Sequence, residues 1–89
     1  MIFALGRILA TPGAIQALEE AGANPVSFLL RHANGDWGDL SEEDKRENDL
    51  SVGAGFRILS AYKLRSGVTI WVITEADRSV TTFLLPQEY

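Results

Sequence analysis

Hydrophobic positions change period part-way along this chain. From Thr11 to about Val52 they recur at helical spacing, and from Phe56 to Leu85 they alternate as in strands. Before both, residues 2–10 read as a short strand with Phe3, Leu5 and Leu9 facing one way and Gly6-Arg7 interrupting it. Thr11-Pro12 then opens a helix. Threonine is a good N-cap, and proline at the first helical position needs no hydrogen-bonded N–H. Ala14, Ile15, Leu18 and Ala21 form a narrow apolar stripe, and Gly22 is the expected stop. Asn24-Pro25 repeats the signal. Val26, Leu29 and Leu30 supply a buried face, and the helix should end near Ala33 or Asn34 with Gly35 as its cap. Ser41-Glu42-Glu43-Asp44 opens a third helix, its acids at the positive end of the dipole. That helix has almost no apolar face, so it should lie on the surface and dock by its ends, stopping at Gly53-Ala54-Gly55.

Three strands complete the pattern: Phe56 to Leu64, Val68 to Glu75 and Ser79 to Leu85, which Pro86 ends. The connections Arg65-Ser66-Gly67 and Ala76-Asp77-Arg78 are short enough for an antiparallel meander. The predicted order is β-α-α-α-β-β-β, one α+β domain over residues 1–89 with three helices packed on one face of an antiparallel sheet. Which edge the first strand takes is not readable.

The last two strands are apolar on both faces. Loops of three residues would pair Glu75 with Ser79, Ile73 with Thr81 and Trp71 with Phe83. Trp71 and Phe83 would then share an aromatic face, leaving Ile70, Val72, Val80 and Leu84 for the helices. An uncovered aromatic face suggests a protein partner or a homodimer. Alternatively, Lys63 and Arg65 fold their long stems over it.

Composition narrows the class of molecule. The chain of 89 residues is 46% apolar and 22% charged, ordinary globular material with one modest core. No apolar run is long enough to span a bilayer, and the start lacks the basic region of a signal peptide, so a cytoplasmic location without membrane association is the expectation. The absence of cysteine excludes disulfides, thiolate metal sites and thiol catalysis. Net charge is −4, and Asp36 to Asp49 alone carries seven acids against two bases. No basic cluster offsets this in sequence, which argues against nucleic-acid binding. The acidic run could mimic nucleic-acid phosphates, but a solvated helix face explains it as well.

Chemistry concentrates in Arg31-His32-Ala33-Asn34-Gly35-Asp36-Trp37-Gly38-Asp39-Leu40. It holds the only histidine, which with Asp36 and Asp39 makes a thin metal-ligand list. No metal or other cofactor is therefore expected; the Gly35 to Gly38 stretch lacks the lysine and spacing of a phosphate loop. His32 fits the last turn of its helix, where a partly charged imidazole favours the dipole. A competing reading makes His32 the general acid or base of a small metal-independent ribonuclease. Arg57, Glu75, Arg78 and Tyr62 would then help deprotonate a 2′-hydroxyl and steady a pentacoordinate phosphate. The binding reading uses Asp36, Trp37, Trp71 and Phe83 as contact residues instead.

His32 to Leu40, the acidic helix after it, Ile58-Leu59-Ser60-Ala61-Tyr62 and Ile70 to Ser79 together carry a resemblance. So do Thr11-Pro12-Gly13-Ala14 and the ending Leu84 to Tyr89. The chain resembles small plasmid-related bacterial proteins of unknown function, borne on plasmids and integrative elements. The resemblance implies carriage on a mobile element and transfers no catalytic residue. The leading expectation is a non-enzymatic binding module acting on a host or element protein.

Glycines close on either side of Trp37 let the chain turn tightly around a large aromatic, which should be buried in an ordered loop. Trp37→Ala is expected to lower stability by roughly 3–5 kcal/mol. A thermal melt checks this, and a curve that hardly moves would assign Trp37 to the surface instead.

Overall fold

The structure is a computed structural model describing all residues, Met1–Tyr89. Its elements are β1 (Arg7–Ala10), α1 (Pro12–Glu20), α2 (Pro25–Ala33), α3 (Glu42–Ala54), β2 (Ile58–Lys63), β3 (Thr69–Thr74) and β4 (Val80–Leu84), followed by a 3-10 turn at Pro86–Glu88. This is the α+β order that the hydrophobic pattern predicts. The sheet runs β1-β4-β3-β2, with β1 parallel to β4 and the other pairs antiparallel.

The helix starts follow their caps. Thr11, Asn24 and Ser41 each accept a backbone N–H of the first turn, from Ala14, Val26 and Asp44 respectively. The first strand is shorter than the sequence suggests. Gly6 has φ +65°, and a Cβ there would lie 2.2 Å from the Ser79 carbonyl oxygen. The chain therefore turns at Gly6 instead of extending from residue 2. The preceding segment crosses the sheet, with the Ile2 N–H donating to the Ala33 carbonyl at 2.8 Å and Phe3 packed on His32 and Trp37.

One sheet face packs against α1 and α2. Tyr62, Ile70, Val72 and Phe83 meet Ala14, Leu18 and Ala21 in the core cluster, with Phe28 and Leu29 packed beside them. The second face carries Leu59, Ala61, Trp71, Ile73, Thr82 and Leu84. The β3–β4 register differs from the expected one by a single residue. Trp71 pairs with Leu84 and Val72 with Phe83. The cause is the turn: Glu75 N–H donates to the Val80 carbonyl, and Arg78 N–H donates to the Glu75 carbonyl with Arg78 at φ +61°. The connection is thus one residue longer than Ala76-Asp77-Arg78. Asp77 fixes it by accepting the Ser79 N–H and hydroxyl. A slip of one residue reverses every side chain. Phe83 is accordingly buried beneath the helices, whereas Trp71 lies on the opposite face with Leu84. The expected Trp71–Phe83 surface does not form.

Helix α3 lies along the β2 edge. It is held there by its middle as well as by its carboxyl end: the Asn48 side-chain amide donates to the Leu59 carbonyl at 2.6 Å and accepts the Leu59 N–H at 3.2 Å, and Arg78 donates to the Ser51 carbonyl at 2.9 Å. The Gly35 to Leu40 loop closes the rest of that edge. Ala61 N–H donates to the Trp37 carbonyl, Asp39 N–H donates to the Ala61 carbonyl, and the Asp39 carboxylate accepts the Lys63 N–H. Every outward backbone group of the β2 middle is thereby paired, which removes a template for stray strand addition.

Gly38 makes this closure possible. It sits at φ +76°, and a Cβ would come within 2.0 Å of the Ala61 carbonyl oxygen. Gly38→Ala is expected to cost roughly 2–4 kcal/mol through strain and a displaced loop. Gly55→Ala is the comparison, because Gly55 has a similar φ but open space around it. Urea unfolding of the two variants checks the difference; equal losses would deny the loop its closing role.

Candidate functional site

His32 lies on the inner side of α2, facing the sheet, and is fully buried. Ser60, Thr74 and Thr81 stand at inward positions of β2, β3 and β4 and are fully buried with it. The imidazole Nδ1 is 2.5 Å from Ser60 Oγ, and Nε2 is 2.9 Å from Thr74 Oγ1. Thr74 Oγ1 lies 2.7 Å from Thr81 Oγ1, which donates to the Leu5 carbonyl at 2.7 Å. A carbonyl only accepts, so the direction of the whole chain is determined. Thr81 spends its proton on Leu5. Thr74 must then donate to Thr81, His32 Nε2–H to Thr74, and Ser60 to His32 Nδ1. The histidine is the neutral Nε2–H tautomer. Burial pushes its pKa down to about 4, in agreement with that assignment.

This geometry corrects the sequence reading of His32 as a partly charged residue favouring the helix dipole. It also removes His32 from any catalytic role at a surface. Both ring nitrogens are occupied by hydroxyls, and no cleft reaches them. The other residues of the ribonuclease reading do not converge on it. Arg57 pairs with Glu75 at 3.1 Å and contacts the Tyr89 hydroxyl. Arg78 donates to the carbonyls of Phe56, Glu75 and Ser51, clamping the β3–β4 turn to the end of α3. Tyr62 is buried, donates to the Asp36 carbonyl at 2.7 Å, and has its phenol pushed up to about 12 by burial.

The loop residues are likewise engaged within the fold. Trp37 is only 3% exposed, stacks on Phe3, and donates its indole N–H to Asp49 at 2.9 Å. It cannot also present itself to a partner. Phe83, at 2% exposure under α1, is excluded for the same reason. Asp36 pairs with Arg31 and accepts the Gly38 N–H; the Arg31 hydrogen bond holds its carboxyl below the usual range. His32, Asp36 and Asp39 do not come together as a ligand set, and no group of three His, Asp or Glu is placed to hold a metal ion.

Of the expected contact residues, Trp71 remains accessible, half-buried on the second face. Tyr89 packs edge-on against it at 5.6 Å, and Asp44, Glu47, Asn48 and Ser51 of α3 line the cleft that Trp71 borders. Between α3 and the sheet lies an open cleft of about 370 Å³. Leu59 and Trp71 of the sheet line one side, Asp44 and Glu47 of α3 the other, and Leu40 and Arg57 complete the lining. A smaller depression shares Glu47 and Ser51 with it and is bordered by Leu50 and Phe56, which are 72% and 64% exposed. Sequence reasoning missed the α3 side because the acids read as a solvated face. The signal was present in Leu50 and Phe56, apolar residues with no inward position to occupy.

Searches against protein-family models, curated proteins and solved structures return no match to this chain.

The buried imidazole makes stability depend on acid. In the unfolded chain it titrates near 6.5, and in the fold at about 4. Between those values only the unfolded chain takes up the proton, so the histidine favours the fold fully above pH 6.5 and progressively less toward pH 4. The expected loss is about 3 kcal/mol. Urea midpoints of wild type and His32→Gln at pH 7 and pH 4 test it, since the carboxylates cancel in the comparison. The wild type should lose more; equal losses would show that His32 does not titrate this way.

Proposed function

We propose that this protein is a non-enzymatic interaction module, and that the cleft between α3 and the second sheet face docks a segment of another protein. The observation that carries the reading is the combination of surfaces in that cleft. Its sheet side is apolar, from Leu59 and Trp71, and its α3 side is acidic, from Asp44 and Glu47. Neither acid takes part in the three ion pairs of the structure. Arg57, the one base in the lining, is already paired with Glu75. Leu50 and Phe56 continue the apolar border onto the outer surface of α3. Contiguous exposed apolar groups rimmed by charge favour a protein contact, and the sign of the rim selects a basic partner.

The matching occupant is a segment with lysine or arginine beside aliphatic side chains. Nucleic acid suits the cleft poorly, because its phosphates would meet Asp44 and Glu47. No helix is long and apolar enough to cross a membrane. In this reading the protein works in the bacterial cytoplasm. Its resemblance to plasmid-related proteins adds that the partner belongs to the host or to the mobile element.

The two indole N–H groups allow a direct test by NMR, since Trp37 is buried and bonded to Asp49 while Trp71 borders the cleft. A synthetic peptide alternating lysine with leucine should shift the Trp71 indole resonance saturably and leave that of Trp37 in place. The same peptide with glutamate for lysine should not, and Glu47→Lys should weaken the lysine peptide about tenfold or more. Equal responses to both peptides, or none to either, would overturn the reading.

A further inference from the structure

The two edges of the sheet are treated differently. The β2 edge is closed by Asn48 and by the loop that carries Gly38, but the β1 edge is open. Arg7 N–H donates to the Ser79 carbonyl and Thr11 N–H donates to the Phe83 carbonyl, so residues of odd number in β1 face β4. Ile8 and Ala10 therefore turn both N–H and C=O away from the sheet. All four strand residues are exposed, with Ile8 at 45% and Leu9 at 42%. No lysine, proline or bulge interrupts Ile8-Leu9-Ala10, and these are the usual devices that protect an edge.

We infer that a second copy of this chain adds to that edge, β1 against β1, through a two-fold axis at Leu9. This register sets Ile8 opposite Ala10 of the other copy. Each outward N–H then finds an outward C=O, giving four main-chain hydrogen bonds across the join. The two Leu9 side chains meet at the axis on the second face. On the helix face the bulk of Ile8 lies against the small side chain of Ala10. The same register sets Arg7 opposite Thr11 of the other copy.

That last pairing favours a second copy over an unrelated strand. Arg7 is exposed and takes part in none of the ion pairs of the structure. The Thr11 hydroxyl donates to Glu88 Oε1 at 2.6 Å. Glu88 also accepts the Leu85 N–H on Oε1, so Oε2 is unengaged. An approaching copy therefore brings an unpaired guanidinium to an available carboxylate, twice by symmetry. A two-fold interface of this kind is self-complementary. Its strands are only four residues long, so it lies among weak, concentration-dependent contacts. The product is a continuous sheet of eight strands whose outer edges are the two closed β2 strands.

Charge exchange separates this arrangement from every other. Arg7→Glu alone would set two glutamates at each join, and Glu88→Arg alone would set two arginines there. An equimolar mixture of the two variants restores opposite charge at both joins. Sedimentation equilibrium from about 10 μM to about 1 mM covers the range of a weak dimer. Wild type should approach twice the monomer mass at the top of that range. Each single variant, and Leu9→Lys, should associate about tenfold more weakly or less. The mixture should recover wild-type mass. Circular dichroism of each variant checks that it is folded. A monomeric wild type throughout, a dimer indifferent to Leu9→Lys, or folded variants that fail to recover on mixing would each overturn the inference.

Discussion

The fold is organised around one uncharged imidazole. His32 on α2 is hydrogen-bonded to Ser60 on β2 and Thr74 on β3, and through Thr81 on β4 the chain of hydroxyls ends on the Leu5 carbonyl. Three strands, one helix and the amino-terminal segment are thus joined through four fully buried side chains. A buried polar atom without a partner costs roughly 1–3 kcal/mol, so each member depends on the placement of the others. No buried side-chain polar atom is left without a partner. A β3–β4 register shifted by one residue would turn either Thr74 or Thr81 outward and break the chain. The polar interior therefore specifies alignment where aliphatic packing alone would tolerate alternatives.

The loop after α2 extends this order to the sheet edge. Trp37 packs beside His32 and Phe3, its indole holds Asp49 of α3, and its carbonyl accepts from Ala61 of β2. One residue thereby links the interior, the edge strand and an acidic helix with little apolar surface of its own. This is why α3, with Asn48 as its only buried residue, can remain docked and still leave Asp44, Glu47 and Leu50 facing outward. The molecule has a closed edge beside a charged cleft and an open edge on the far side of the sheet. The polar groups of the glycine-flanked loop are spent on the fold, so the two proposed contacts are placed at the cleft and the open edge and not in that loop.

Much of the architecture was legible along the chain. Thr11-Pro12, Asn24-Pro25 and Ser41 mark the helix starts because capping depends on near neighbours in sequence. Alternation in β2, β3 and β4 separates two sheet faces for the same reason. The candidate site was far less legible. Trp71 was recognisable as a surface aromatic, but its companions Asp44, Glu47 and Leu59 come from elements whose approach depends on the Asn48 and Trp37 contacts. His32, Arg57, Glu75 and Arg78 had suitable chemistry but were separated by the fold, since spacing in sequence carries no information about which face of which strand each side chain takes.

The sequence by itself determined the order of elements, the helix caps, the apolar content of each strand and the need to bury Trp37. All of these follow from interactions within a few residues or from the period of a local conformation. Tertiary structure decided the rest. Four residues rather than three in the β3–β4 turn sent Phe83 inward and left Trp71 outside. Gly6 shortened β1, and parallel pairing with β4 placed it at an edge. Burial among hydroxyls, not position on α2, set the charge of His32. These outcomes turn on distances between residues far apart in the chain, and a single residue of register is enough to reverse the facing of a strand.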